Sequence, residues 1–161
     1  MHTRDTLLAH LDGLGIETRT LDHPAVYTVE EARAQRGVLP GAHCKNLFLR
    51  DKKGAMFLLT TLADRDIDLK ALRDPLGVKS LSFASPERLD TYLGVTPGSV
   101  TPFAVINDGE GAVTMALGRA LMDFEVLNFH PLINTATTAI APGDLMRFLE
   151  DTGHPPLLLD L

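Results

Sequence analysis

The chain has 161 residues, 45% hydrophobic and 22% charged, with a formal net charge of −6, the composition of one ordinary globular domain spanning residues 1–161. It holds no run of 18 apolar residues, which excludes a membrane-crossing helix, and its single cysteine excludes both an internal disulfide and a cysteine-based zinc site. The opening "MHTRDTLLAHLDGLG" is too interrupted by charge for a signal peptide, so a cytoplasmic location is expected.

Leu7, Leu8, Leu11 and Leu14 recur at helical spacing, and Gly13 or Gly15 supplies a stop. "ETRTLDH" (17–23) reads as a short strand. "TVEEARAQRG" (28–37) opens with a capping box, Thr28 reaching toward Glu31, and its helix stops at Gly37. "NLFLR" and "AMFLLTT" are the strands of a β-hairpin with "DKKG" as its turn. "DLKALRDPLG" predicts a short helix capped by Asp68 and ended by Pro75, and "KSLSFA" a strand. "SPERLDTYLG" carries the clearest helix signals: Ser85 as cap, Pro86 in the first turn and Gly94 as stop. "FAVIND" and "GAVTMAL" read as strands around an Asp108–Gly109 turn, and "FEVLNFH" and "TATTAIA" as two more. "PGDLMRFLED" is a final helix, and "GHPPLLLDL" a tail whose leucines pack down. Strands crowd the middle of the chain without a regular βαβ rhythm. That predicts an α+β fold, a single compact domain with a mixed β-sheet flanked by helices.

Three segments are chemically unusual. On strand alternation Lys45 shares a face with Leu47 and Leu49, the side that should look inward. A lysine there is either an edge residue whose ammonium reaches water, or a fixed cation for a phosphate or oxyanion, with Asn46 beside it. In "GVTPGSVTPF" (94–103), Gly98 permits close approach of another molecule, and the amides of Gly98, Ser99 and Val100 can bind an oxygen; a structural turn is the plainer reading. In "NFHPLINTATT" (128–138), Pro131 pushes His130 toward extended backbone, and Asn134, Thr135, Thr137 and Thr138 form a dense polar set. That set satisfies a buried turn or lines a pocket.

The chain has no GxSxG elbow, HExxH or Walker A signature. The other histidines are scattered without metal-ligand spacing, so neither a metal nor a cofactor is expected. Cys44 is the one candidate thiol nucleophile; adjacent Lys45 would lower its pKa, yet the two should point to opposite faces. The acidic total argues against a nucleic-acid partner, but the charge is uneven. Residues 33–88 hold eleven Lys/Arg against six Asp/Glu, while the remainder holds four against fifteen. A basic middle on an acidic body can face phosphate, although a solvated mixed-charge surface explains it as well.

Taken together, "HCKNLFLRDKKG", "FLLTTLADRDIDLKAL", "GVTPGSVTPFAVIND" and "NFHPLINTATT" resemble the prolyl-tRNA editing family over roughly residues 20–150. Its members are free-standing aminoacyl-tRNA deacylases and the editing domain inserted in bacterial prolyl-tRNA synthetases. The "HPA" start, "CKNLFL" hairpin and "HPLINTAT" segment are most similar to the branch that removes alanine from proline tRNA. The resemblance implies a compact mixed α+β fold. It also implies a hydrolase acting on the acceptor end of tRNA(Pro), with prolyl-tRNA synthetase as a further partner. Lys45 matches the family's essential lysine, thought to hold the terminal adenosine. Gly98 lies in the loop whose amides sit close to the scissile ester, and His130 matches the pocket histidine. Asn46, Ser99, Val100, Asn134 and Thr135 fall in the same motifs. Val26, Ala32, Phe48, Leu127 and Phe129 are the expected apolar pocket walls. Nothing suggests a coiled coil, and a monomer is expected. Alternatives are the same chemistry on Cys-, Ser- or Thr-tRNA, a non-catalytic tRNA- or aminoacyl-adenosine-binding module, and a thiol esterase using Cys44.

Overall fold

The computed structural model describes residues 1–25 and 40–161. The helix expected over 28–37, and with it Val26 and Ala32, lies outside the described residues.

Helix α1 (Arg4–Gly13) begins at a reciprocal cap between Thr3 and Thr6 and buries Leu7 and Leu11. Strand β1 (Arg19–Asp22) follows. The hairpin is β2 (Ala42–Arg50) and β3 (Met56–Leu62), with Lys45 opposite Thr61 and Phe48 opposite Leu58. Its turn is tied by Asp51, whose Oδ1 accepts the amides of Lys53 at 2.9 Å and Ala55 at 2.8 Å.

Asp68 caps α2 (Leu69–Leu76) as expected, but Pro75 sits inside the last turn rather than ending it. Proline φ is already helical, so the stop falls to Gly77, left-handed at φ 71°. Of the strand expected at 79–84, only β4 (Ser82–Phe83) pairs. Helix α3 (Pro86–Leu93) has the expected start and stop, with Ser85 accepting from the Arg88 amide and Gly94 at φ 65°.

"FAVIND" is not a strand. Pro102–Asn107 coils into a 3₁₀ helix, opened by Thr101, whose hydroxyl accepts from the Phe103 amide at 3.3 Å. Phe103, Ala104 and Val105 are buried at consecutive positions, which a half-buried strand with alternating faces would not give. The remaining elements are β5 (Val113–Gly118), a 3₁₀ turn (Arg119–Asp123), β6 (Leu127–Phe129), β7 (Ala136–Ile140), α4 (Pro142–Asp151) and β8 (Leu157–Leu159). The leucine tail is therefore a strand in its own right, parallel to β5.

Among the described residues the strands run in the order β1-β7-β6-β2-β3-β5-β8, with β4 on the flank of β2. Pairings β2–β6, β3–β5 and β5–β8 are parallel and the others antiparallel, which makes the sheet mixed. A core lies on each face. Phe48, Leu58, Met115 and Phe129 pack with α1, α3, α4 and the Phe103 turn on one side. On the other, Leu49, Phe57, Leu59 and Leu159 pack with Leu72 and Leu76 of α2. Each large side chain so buried stabilises by about 1.5–3 kcal/mol.

One buried polar pair joins the turn before β5 to the C-terminal segment. Asp108 accepts the amides of Ala112 at 3.0 Å and Val113 at 2.8 Å, and its Oδ2 lies 2.8 Å from His154 Nε2. The side chains of Asp108 and His154 are only 3% and 2% exposed.

Candidate functional site

Alternation along β2 puts His43, Lys45, Leu47 and Leu49 on the α2 side of the sheet, and Ala42, Cys44, Asn46 and Phe48 on the side of the larger core. Lys45 thus shares its face with Leu47 and Leu49, as alternation predicts. Its Nζ donates to the carbonyl of Arg65, in the loop after β3. An ammonium has three protons, so a ligand can still be offered two.

Cys44 faces away from Lys45. It is packed against the larger core, and burial pushes its thiol up to about 12, against a smaller lowering by the Asn128 amide. A thiol so placed is a poor nucleophile near neutral pH, which weighs against the thiol-esterase alternative. Asn46 is held across the hairpin, its Oδ1 accepting from Thr60 Oγ1 at 2.6 Å.

The expected apolar walls do not gather beside Lys45. Phe48, Leu127 and Phe129 are buried in the larger core, Phe129 meeting Phe103 edge-on at 5.8 Å. The pairing of Ala42 with Leu127 and His43 with Asn128 puts Leu127 and Phe129 on the opposite side of the sheet from Lys45. Core packing accounts for these apolar positions.

The Gly98 loop is a regular 3₁₀ turn (Pro97–Ser99), not an irregular segment. The Ser99 amide already donates to the Thr96 carbonyl at 2.9 Å, and Ser99 is buried. Val100 packs at the edge of the larger core. Gly98 itself is exposed, and a Cβ built there would stand 3.4 Å from Asn134 Nδ2. The loop therefore meets the β6–β7 connection at Asn134, two motifs 36 positions apart in sequence brought together. That connection contains Leu132, buried at φ 71°, the one non-glycine at positive φ among the described residues. A left-handed leucine costs about 1–2 kcal/mol, so the surrounding structure fixes this turn against its local preference.

His130 closes β6. Its Nδ1 lies 2.9 Å from the Ala136 carbonyl. Burial is the main force holding the imidazole below its ordinary 6.5, opposed by that hydrogen bond and assisted by the charge of His23. The neutral ring then keeps its proton on Nδ1, because a carbonyl only accepts, and Nε2 carries a lone pair. Thr135 is exposed, and its carbonyl accepts from the His23 amide at 2.9 Å. His23 was one of the scattered histidines of the sequence; its place here, 6.2 Å ring to ring from His130, is set by the β1–β7 pairing. The signal for it was the "HPA" start of the resemblance.

No three of His, Cys, Asp and Glu cluster to hold a metal among the described residues. A cleft of about 720 Å³ between α1, β1 and α4 contains none of the site residues. Arg4, Arg119 and Arg147 are each paired with a carboxylate, and Arg65 lies 3.9 Å from Asp64, whereas Lys52, Lys53, Lys70, Arg73 and Lys79 have no ion-pair partner among the described residues. These five cations of the basic middle carry positive charge that no described carboxylate neutralises by direct contact.

The model of the aminoacyl-tRNA editing domain matches residues 23–148. The chain is 42% identical over 158 residues to prolyl-tRNA synthetase associated domain-containing protein 1 of Danio rerio, covering 97% of this chain and 86% of that one. It is 37% identical over 155 residues to prolyl-tRNA editing protein ProX of Acetoanaerobium sticklandii, covering 96% and 94%. The crystal structure of a conjectured trans-editing enzyme for prolyl tRNA synthetase superposes with a TM-score of 0.74 at 20% identity, over 100% of this chain and 99% of that one.

Proposed function

The chain belongs to the aminoacyl-tRNA editing family, and from that premise we propose that it is a trans-editing hydrolase that deacylates mischarged tRNA, above all alanine on tRNA(Pro). The observation that carries this reading is that the family match over 23–148 contains "CKNLFL", "PGSVTPF" and "HPLINTAT" together.

In this reading Lys45 uses its remaining N–H groups on the ribose or phosphate of the terminal adenosine. The tetrahedral oxyanion is taken by the exposed Gly98 turn. With the Ser99 amide already donating to Thr96, the donors narrow to Gly98 and Val100, each worth about 3–4 kcal/mol when well placed. His130 Nε2 accepts from the substrate's α-ammonium group. Water is the nucleophile, assisted by the terminal ribose hydroxyl, since no side chain of the site is a strong base. A second site too small for proline supplies the discrimination that a synthetase pocket cannot, because one missing apolar group is worth only about 1–3 kcal/mol. The free cations of Lys52, Lys53, Lys70, Arg73 and Lys79 suit the polyanionic body of the tRNA. The protein would act in the cytoplasm as a monomer, receiving substrate from prolyl-tRNA synthetase.

Single-turnover deacylation of tRNA(Pro) charged separately with alanine, cysteine, serine and proline tests the proposal, with Lys45→Ala alongside. Loss of alanine alone, abolished in the variant, is the expected result. Turnover of cysteine or serine instead would move the specificity, and tRNA binding without any turnover would overturn the enzyme reading.

A further inference from the structure

Two histidines 107 positions apart grip the first residues of β7. The His23 amide donates to the Thr135 carbonyl at 2.9 Å, and His23 Nε2 lies 2.8 Å from Thr137 Oγ1. Between them stands Ala136, whose carbonyl receives His130 Nδ1 at 2.9 Å. The rings are 6.2 Å apart and inclined at 54°. His23 thus holds the peptide on both sides of the carbonyl that orients His130.

Proton placement follows from which partners can only accept. His23 Nδ1 lies 2.9 Å from the Pro24 carbonyl, so that nitrogen carries a proton, and whenever the ring is uncharged its Nε2 lone pair faces the Thr137 hydroxyl. The Thr137 hydroxyl then donates to His23. On His130 the same logic protonates Nδ1 and leaves Nε2 as an acceptor, and no described residue donates to it. The residue of β1 opposite Thr137 is Leu21, whose side chain has no polar atom, so the side-chain bridge to Thr137 comes from His23, just beyond the strand.

We propose that His23 is a positioning residue for His130: by bridging Thr135 and Thr137 it fixes the Ala136 carbonyl, which locks His130 in the Nδ1-protonated tautomer and keeps Nε2 as the acceptor for the α-ammonium group of the aminoacyl ester. The substrate half of this rests on the deacylase reading; the tautomer half does not. A residue that merely ended β1 would change stability while leaving the tautomer alone.

Two-bond ¹⁵N–¹H correlation spectra of histidine-labelled protein read the tautomer directly, with His130 assigned by its loss in His130→Gln. The wild type should show protonated Nδ1 and bare Nε2. Thr137→Val, which removes the hydroxyl with little change of volume, and His23→Phe, which keeps a ring and the amide bond to Thr135, should each give mixed tautomers. Deacylation of the alanyl ester should fall about tenfold in both, the worth of one hydrogen bond. Thr137→Ser should keep the wild-type tautomer and rate. A wild-type His130 protonated on Nε2, or an unchanged tautomer in both variants, overturns the positioning role. Mixed tautomers with an unchanged rate overturn the substrate role. Absence of any ester turnover in the wild type would sink the deacylase reading alone, since the spectra still decide whether His23 sets His130.

Discussion

Gly98→Ala should separate folding from chemistry in a single change. Gly98 lies in a 3₁₀ turn outside the left-handed region, so alanine can adopt its backbone. The added Cβ would meet only Asn134 Nδ2, at 3.4 Å, an ordinary contact. At a compatible position glycine to alanine stabilises by about 0.4–1 kcal/mol through the unfolded chain. For a domain of this size that raises the melting temperature by about 1–4 °C. The same methyl would stand on the exposed surface of the turn, where in the proposed mechanism the ester comes within reach of the amides. Loss of one such donor lowers the rate about 10²–10³-fold. Calorimetry and single-turnover deacylation on one preparation give both numbers. A variant that melts higher and still hydrolyses at the wild-type rate would refute the approach of the ester to this turn. Gly41→Ala is the contrasting control. At φ 97°, its Cβ would be 2.7 Å from the Val126 carbonyl, so it should destabilise the protein outright.

Acidification should destabilise the protein through His130. Its folded pKa lies below 6.5, so the stability from keeping it neutral is complete above 6.5 and is lost as pH falls through the folded value; denaturant melts from pH 8 to 5 should show a loss that His130→Gln flattens. If the neutral imidazole is the acceptor, deacylation should hold steady through pH 6.5 and fall only as pH drops through the lowered folded value of His130. Cys44→Ala should hydrolyse alanyl ester at an undiminished rate, since burial keeps the thiol protonated; a hundredfold loss would restore the thiol mechanism. Asp108→Ala should cost about 3–5 kcal/mol by leaving His154 and two amides without their partner, lowering the melting temperature by roughly 6–20 °C, with unchanged rate in the folded fraction by thermal melt and assay.

The legible parts of the fold were those written in neighbouring residues. Helix α3 carried its cap, first-turn proline and stop within ten positions, and the hairpin showed its alternation and its Asp51 turn. "FAVIND" misled because β-branched composition favours a strand, while the decisive facts were Thr101 before Pro102 and the lack of a strand partner. The leucine tail could not announce itself as a strand, since its partner β5 lies some forty residues back. The site divides in the same way. Lys45 could be placed on a face from alternation alone, and the Gly98 and His130 motifs by resemblance. The bridge from His23 to Thr137, the approach of Gly98 to Asn134 and the Asp108–His154 pair are long-range contacts that no local spacing encodes. The apolar pocket walls were drawn from proximity in sequence, and the parallel register of β2 with β6 turned them to the other face.

The strand order also bears on how the chain is assembled. The centre of the sheet is the β2–β3 hairpin, closed by the five residues 51–55, while the first strand and the last lie at opposite edges. Synthesis proceeds from the N-terminus, and local hairpins close in microseconds. The middle can therefore take shape on the ribosome while β1 waits for β7, more than a hundred residues later, and β5 waits for β8. Until Leu159 and His154 have left the exit tunnel, the α2-side core lacks one wall and Asp108 lacks its partner. A stall or cleavage just short of them would release a nearly finished domain with an open sheet edge, the form in which such a chain is most exposed to proteases and to its own copies.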